Sequence, residues 1–351
     1  MSKSWLAGKS ILITGASGTI GSNLLKYVLT LEPKVVRALD HHEHGLFQLQ
    51  QEIGDRDDVR WLLGDIKDAD RMRRAMEGID VVLHTAALKH VFLGEYNPFE
   101  IVQTNLLGLQ NVIQASLENR VERMIFTSSD KAVNPTNAMG ASKLMGERLV
   151  AAAQEAAGSS GTIFAAVRFG NVVGSNGSVV PIFEQQIRKG KEVTLTDKRM
   201  TRFVMGMEQA VRLVLHAAEI AVGGELFVLR MPSLKISDLA DVMIENLAPG
   251  YGFKPEQIKI KQVGARAGEK IYEELLIDSE LPNAFEDEEL VVCLAQGAHS
   301  IPMEKRKYLE NMRPCIEGYN SDLAQPMTRE EIKEFLQDLG VLAKSAETSK
   351  A

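Results

Sequence analysis

The sequence predicts an α/β fold: a doubly wound parallel sheet with a smaller C-terminal lobe whose parts interleave with it. Three observations carry this. Apolar strand-like runs alternate with amphipathic helical segments from residue 10 onward. The strand-like runs are apolar throughout rather than at every second residue, as strands covered on both faces must be. A glycine-punctuated turn, Gly15-Ala16-Ser17-Gly18-Thr19-Ile20-Gly21, follows the first such run directly and opens the first helix.

The elements follow in order. Residues 10–14 read as a buried strand, and the glycine turn leads into a helix that runs through Leu31. Residues 35–40 are a second strand and 47–52 are helical. Residues 59–64 are a third strand, followed by a helix near 70–76. Residues 81–85 form a fourth strand, 97–119 one long helix, and 123–127 a fifth strand. A second long helix is expected over 139–157 and a sixth strand over 162–168. Beyond Asn171 the pattern changes to a loop at 174–178, a helix at 180–189 and a short strand at 192–196. Segments 208–221 and 225–230 read as one more helix and strand of the sheet. From Pro232 the periodicity weakens and charged turns multiply, as expected of a smaller lobe ending in a polar tail.

Composition narrows the function classes. The chain has 351 residues, with 45% hydrophobic and 25% charged content, ordinary values for a globular protein able to bury a large core. A net charge of −7 argues against a nucleic-acid partner held by bulk electrostatics. Cys293 and Cys315 lack metal-ligand spacing and imply no disulfide framework, so no metal is expected. The N-terminus has no signal-peptide apolar region, and no apolar run reaches transmembrane length. The expectation is a cytoplasmic protein with no membrane segment.

The glycine turn points to a dinucleotide. Its glycines allow a tight turn, close approach of the backbone to a pyrophosphate, and close helix–strand packing, while the helix start offers free amides. The spacing is G-x-x-G-x-x-G, so the placement after a strand and before a helix carries the inference rather than the motif alone. Gly15, Ser17, Gly18, Thr19, Ile20 and Gly21 are the expected contacts. Asp40 ends the second strand, about 20 residues past the last glycine, where an acid binds ribose hydroxyls and repels a 2′-phosphate. Arg37, His41, His42 and His44 are the neighbours that a 2′-phosphate would need; NAD is favoured over NADP. Asp65 and Ile66 follow the third strand, placed to touch the adenine, with a turn acid or helix N-cap the plainer reading of Asp65. Ala86 and Ala87 are small where the cofactor must pass closely.

The stretch from Thr127 to Lys143 carries the chemistry. A strand end delivers Ser129, Asp130 and Lys131 side by side. A turn containing Pro135 follows, then a helix bearing Met139 and Lys143, four residues apart and so on one face. A hydroxyl, a carboxylate and two amines converge, with a methionine where an acid or base would be expected.

Several motifs together identify a resemblance: G-A-S-G-T-I-G, H-T-A-A-L-K-H, S-D-K-A-V-N-P-T-N-x-x-G-A-S-K, R-F-G-N-V-V-G-S-N-G-S-V-V-P-x-F and M-T-R-F. The chain resembles the extended short-chain dehydrogenase/reductase superfamily. More narrowly, it resembles the nucleotide-sugar 4,6-dehydratases that act on UDP-N-acetylglucosamine in bacterial polysaccharide and glycan synthesis. The resemblance runs from about residue 8 to about residue 280, and D-K followed by N-P is its specific element. It implies a Rossmann-type NAD-binding domain over 1–174 plus 206–231. A nucleotide-sugar-binding lobe with the C-terminal tail would take 175–205 plus 232–351. Relatives can carry an N-terminal membrane region; the expectation here is the catalytic unit alone.

Site residues carry over by motif. Lys89 and His90 match residues on the substrate side, Lys89 also facing the cofactor. Asn105 matches the asparagine that positions the active-site lysine. Asn171 and the 177–183 loop, with Ser178, Val179 and Val180, match diphosphate contacts. Thr194 lies in the strand that cradles uracil. Thr201 and Arg202 match the substrate contacts of M-T-R-F. Arg266 and Glu269, in R-A-G-E-K, match a pyrophosphate-binding segment, a task suited to a forked guanidinium.

The implied reaction oxidises carbon 4 of the sugar, eliminates water across carbons 5 and 6, and returns the hydride to carbon 6. The usual superfamily base is a tyrosine four residues before the lysine. Here that residue is Met139, which cannot transfer a proton and falls on the substrate side. The remaining groups imply that Asp130 takes the 4-hydroxyl proton and delivers it to the leaving 6-hydroxyl. Lys131 would remove the carbon-5 proton, its neutral form favoured by burial or by a neighbouring cation such as Lys143. Lys143 would hold the nicotinamide ribose and Ser129 the 4-oxygen. The alternatives are a nucleotide-sugar epimerase or dehydrogenase, and a non-catalytic NAD-binding protein. Superfamily members pair through two long helices, so a homodimer or higher oligomer through 97–119 and 139–157 is expected.

Overall fold

The computed structural model describes residues 4–175, 177–264, 268–295 and 301–343, with the side chain of Ser159 excepted. The chain forms two compact units, each discontinuous in sequence. The first comprises Met1–Phe169, Glu208–Arg230 and Glu274–Gly318; the second comprises Gly170–Met207, Met231–Glu273 and Tyr319–Ala351.

The first unit is built on a 10-stranded sheet. Its leading strands are β1 (Ser10–Thr14), β2 (Val35–Asp40), β3 (Val59–Leu63), β4 (Val81–His84), β5 (Arg123–Thr127) and β6 (Ile163–Arg168). They lie in the order 3-2-1-4-5-6, every pairing is parallel, and Glu225–Leu229 adds in parallel beside β6. This is the doubly wound order, with its switch point between β1 and β4. The buried strand residues explain it: β1 and β4 are buried throughout, so helices must cover both faces. One face packs Leu12, Val82, Met124 and Phe164 of the sheet against Met72 and Met76 of Ala69–Met76, Leu109 and Val112 of Leu109–Glu118, and Val150 of Ala138–Ala156.

Segment 274–318 belongs to this unit rather than to the smaller lobe. Leu290–Leu294 is a fully buried apolar run, and it pairs antiparallel with Glu225–Leu229, extending the sheet. The charged turns around it hid a strand whose apolar surface has to be covered.

The expected helix at 97–119 is continuous but not uniform. It begins at Pro98–Ile101, passes through a π-helical stretch at Val102–Gly108 and continues as Leu109–Glu118. Such stretches widen the turn and are often found at functional sites. The helix expected at 139–157 runs Ala138–Ala156, capped by Asn137, whose Oδ1 accepts the Gly140 amide at 2.8 Å.

The second unit has its own core, in which Val180, Phe183 and Ile187 of the helix Val179–Arg188 meet Leu239 and Met243 of the helix Ile236–Leu247. Val193–Leu195 pairs in parallel with Ile260–Gln262, and Thr201–Met205 pairs with both Ser233–Lys235 and Asn171–Val172.

Candidate active site

The glycine turn has the close approaches that its sequence implied. Gly15 adopts φ +71°, a conformation that glycine takes without strain, and a Cβ there would lie 2.7 Å from the Ala86 Cα. A Cβ on Gly21 would lie 2.2 Å from the Gly15 carbonyl oxygen. No side chain caps the helix Thr19–Val28, and an uncapped helix N-terminus is an end that favours an anion. Gly18, Thr19 and Ile20 line that start. These features fit a dinucleotide pyrophosphate lying across the turn, with Ala86 and Ala87 beside it.

Asp40 is 6% exposed, and its carboxylate is engaged by the turn itself. Oδ2 accepts the Ser17 amide at 3.0 Å and the Ser17 hydroxyl at 2.8 Å, while Oδ1 accepts the His42 amide at 3.0 Å. Its acid thus shapes the turn. Arg37 is directed elsewhere, donating to the Ala75 carbonyl. Asp65 closes a local turn, accepting the Lys67 amide at 2.9 Å, while the helix N-cap is Asp68. Ile66, expected at the adenine, is a core residue: it is 4% exposed and packs beneath Gly108.

Ser129, Asp130 and Lys131 meet just past β5. Asp130 and Lys131 enter a single 3₁₀ turn, Asp130–Ala132. Asp130 is fully buried, and its two oxygens differ. Oδ1 accepts the Ser129 hydroxyl at 2.8 Å and the Lys131 ammonium at 2.9 Å. Oδ2 is buried with no hydrogen-bond partner. A bare buried carboxylate oxygen costs free energy unless a ligand or a proton satisfies it.

The helix Ala138–Ala156 is pressed onto this turn. A Cβ on Gly140 would lie 2.2 Å from the Lys131 carbonyl oxygen. Met139 is 3% exposed and adds packing there, without a titratable group. Lys143 is buried, donates to the Thr127 carbonyl at 2.8 Å and lies over the Phe126 ring, 4.7 Å from its centroid. Burial pulls its pKa down to about 8, partly opposed by the Glu147 carboxylate.

Asn105 sits in the π-helical stretch. It accepts the Leu88 amide at 2.8 Å and donates to the Leu88 carbonyl and to Ser142 Oγ at 2.9 Å. One amide therefore ties the loop carrying Lys89 and His90 to the lysine helix. A cavity of about 230 Å³ beside that loop is lined by Lys89, His90, Leu93 and Ile101.

Two residues that sequence reasoning missed belong to this cluster. His84, at the end of β4, is 1% exposed, pairs with Thr14 Oγ1 through Nδ1 at 2.7 Å and stacks on Phe126. Glu147 accepts the Ser128 hydroxyl at 2.6 Å. The available signals were a histidine closing an apolar run and a glutamate four residues past the lysine.

The remaining expected residues lie in the second unit. Ser178 Oγ is buried without a partner at the start of Val179–Arg188, beside Val179 and Val180. Val180 itself is a core side chain. Thr194 is bonded to Gln186 through its amide and its hydroxyl, which fastens that helix to Val193–Leu195. Thr201, expected at the substrate, is 1% exposed and bonded to Ser321. Arg202 donates to the carbonyls of Thr201, Lys270 and Ile271 and lies 3.7 Å from Glu273. It clamps the segment that carries Glu269. Asn171 opens the strand Asn171–Val172. Arg266 lies outside the described residues. Among the described residues, no His, Cys, Asp and Glu side chains cluster to hold a metal ion, and no helix is long and apolar enough to cross a membrane.

Comparison with known proteins gives the family and the fold. A family model described as polysaccharide biosynthesis protein matches residues 11–294. An uncharacterized membrane protein of Methanocaldococcus jannaschii is 47% identical, covering 95% of this chain and 97% of its own. A UDP-N-acetylglucosamine 4,6-dehydratase (inverting) of Campylobacter jejuni is 42% identical over 80% of this chain and 81% of its own. A UDP-glucose 4-epimerase of Rickettsia felis is 35% identical over 94% and 96%. Among solved structures, Pen from Bacillus thuringiensis superposes with TM-score 0.88 at 43% identity, covering 95% of this chain and 99% of that one. A dTDP-glucose 4,6-dehydratase of Streptomyces venezuelae with NAD bound superposes with TM-score 0.67 at 21% identity, covering 75% and 86%, a likeness of fold.

Proposed function

Because this chain belongs to the polysaccharide biosynthesis protein family, within the extended short-chain dehydrogenase/reductases, we propose that it is an NAD-dependent 4,6-dehydratase of UDP-N-acetylglucosamine. The observation that carries this is the bare, buried Oδ2 of Asp130. It is an acceptor with no protein donor, beside a serine and an amine, on the turn against which the Lys143 helix packs.

NAD, when bound, supplies the temporary oxidation at carbon 4 that acidifies the carbon-5 proton. The residues that would hold it are those of the glycine turn, Asp40, Ala86 and Lys143. Asp130 Oδ2 takes the proton of the 4-hydroxyl, and Ser129 orients the 4-oxygen. That proton has a second effect. The Lys131 ammonium is paired with Asp130 Oδ1 at 2.9 Å, and protonating Asp130 removes its counter-charge. Lys131, whose side chain is 25% exposed, then releases its ammonium proton to solvent, takes the carbon-5 proton and, after exchange with solvent, returns a proton to carbon 5 once carbon 6 has received its hydride. Asp130 returns its proton to the leaving 6-hydroxyl. The ion pair thus sets the order of the two transfers, and a tyrosine at position 139 is not needed. The same reading includes a homo-oligomer through the helices that expose Leu107 and Met145.

A second reading, 4-epimerisation of a UDP-sugar, is favoured by the epimerase relative at 35% identity. Incubation with UDP-N-acetylglucosamine in deuterated water separates the two. A dehydratase yields a 4-keto-6-deoxy sugar carrying deuterium at carbon 5, with no net NADH, by NMR. Asp130→Asn should slow this by roughly 100- to 10,000-fold. Recovery of a 4-epimer, or full activity in Asp130→Asn, sinks the proposal.

A further inference from the structure

Glu147 lies four residues past Lys143 on Ala138–Ala156, on the same helix face. Both are buried, at 9% and 6% exposure. Glu147 Oε1 accepts the Ser128 hydroxyl at 2.6 Å and Arg168 Nε at 3.0 Å, and its Oε2 accepts Arg168 Nη2 at 2.7 Å. Arg168, 1% exposed at the end of β6, also bonds the Glu280 carboxylate at 2.8 and 3.0 Å and the Leu275 carbonyl at 2.8 Å. A guanidinium forked between two carboxylates is expensive to bury and rigid once complete. Ser128 immediately precedes Ser129 and Asp130. The network therefore fixes the chain just where the reacting turn begins.

We infer that Glu147 is a positioning residue: through Ser128 it fixes the turn that carries Ser129, Asp130 and Lys131, and it keeps Lys143 cationic. The groups facing Lys143 leave Glu147 as its counter-charge. His84 from β4 is neutral near pH 7, because burial and then Lys143 hold its pKa at about 3. From β5 come the Phe126 ring and the Thr127 carbonyl, which carry no net charge. Around Glu147 itself stand Arg168 from β6, with Glu280 beyond it and Cys293, whose thiol burial keeps protonated. Arg168 is balanced by two carboxylates, so Glu147 retains a net pull on Lys143. Without that carboxylate, burial acts on the ammonium unopposed.

The catalytic consequence rests on the dehydratase reading; the charge state of Lys143 does not. The full-length protein is labelled with ¹³Cε-lysine, and the Lys143 signal is identified by its loss in Lys143→Arg. In the wild type it should titrate near pH 8. Glu147→Gln should lower that midpoint by about one unit, a tenfold change in proton affinity. Glu147→Asp, which keeps the charge, should restore most of it. With UDP-N-acetylglucosamine, the alkaline limb of kcat/KM should move down with the midpoint. Ser128→Ala should slow turnover by a similar factor at every pH while leaving the midpoint in place. A folded Glu147→Gln with an unmoved Lys143 midpoint overturns the electrostatic part. A Ser128→Ala variant with wild-type rate overturns the positioning part, and it does so even if Glu147→Gln fails to fold. Absence of any turnover by the wild type refutes the dehydratase reading instead, and the titration still decides this one.

Discussion

Replacing His84 with glutamine should remove a definite share of the protein's acid sensitivity. The imidazole is 1% exposed, bonded to Thr14 and stacked on Phe126 at 5.9 Å between centroids. Burial, then the charge of Lys143, depress its pKa from 6.5 to about 3. A folded-state pKa below the unfolded one means that the unfolded chain binds the proton first. The native state is therefore penalised as the pH falls from 6.5 towards 3, and is unaffected above 6.5. Between pH 7 and pH 5 the unfolded imidazole becomes almost fully charged while the native one stays neutral, a loss of about 2 kcal/mol. Glutamine does not titrate. The variant should be less stable at pH 7 by about 1 kcal/mol, through the lost Thr14 bond and ring stack. It should then lose about 2 kcal/mol less than the wild type on moving to pH 5. Urea unfolding followed by circular dichroism at the two pH values measures the difference. Parallel losses in the two chains would show that the native histidine accepts its proton normally and that the burial argument fails.

Two further substitutions test the remaining geometry. In Gly140→Ala the new methyl would lie 2.2 Å from a backbone oxygen, that of Lys131, which cannot yield. The helix must lift off the reacting turn, so stability should fall by about 1–3 kcal/mol in thermal melts, with a larger fractional loss of kcat than of dinucleotide affinity. Arg202→Lys leaves a single amine to serve the carbonyls of Thr201, Lys270 and Ile271. The KM for the nucleotide sugar should rise about tenfold while NAD affinity by calorimetry is unchanged, since the clamp acts on the segment carrying Glu269. An unchanged KM would refute the expectation that this segment binds substrate.

The parallel sheet was legible because burial on both faces leaves a plain mark, an unbroken apolar run. The same rule should have recovered Leu290–Leu294, but the charged residues before it suggested a polar lobe. The π-helical stretch had no signature, since T-N-L-L-G satisfies an α-helical pattern equally well. Thr201 was expected at the substrate from its motif position and Ile66 at the adenine from its place after the third strand, and neither position announces that the side chain is buried. Glu147 went unnoticed because its partner Arg168, 21 residues away in sequence, meets it only in the fold.

The reacting pair shows where sequence reasoning stops. Asp130 and Lys131 are adjacent, so their ion pair is written into the chain. The sequence cannot say that Ser129 and Lys131 both use Oδ1, leaving Oδ2 bare. That asymmetry makes the pair directional. A proton arriving at Oδ2 comes from outside the protein, and its arrival discharges the bond at Oδ1. A symmetric pair, with each oxygen shared, would have no vacant acceptor and no reason for one transfer to precede the other. Met139 matters for the same reason. On the proposed dehydratase reading, with no phenol competing for the 4-hydroxyl proton, the bare oxygen of Asp130 would be the acceptor left to take it, and taking it would prepare Lys131 for the next step.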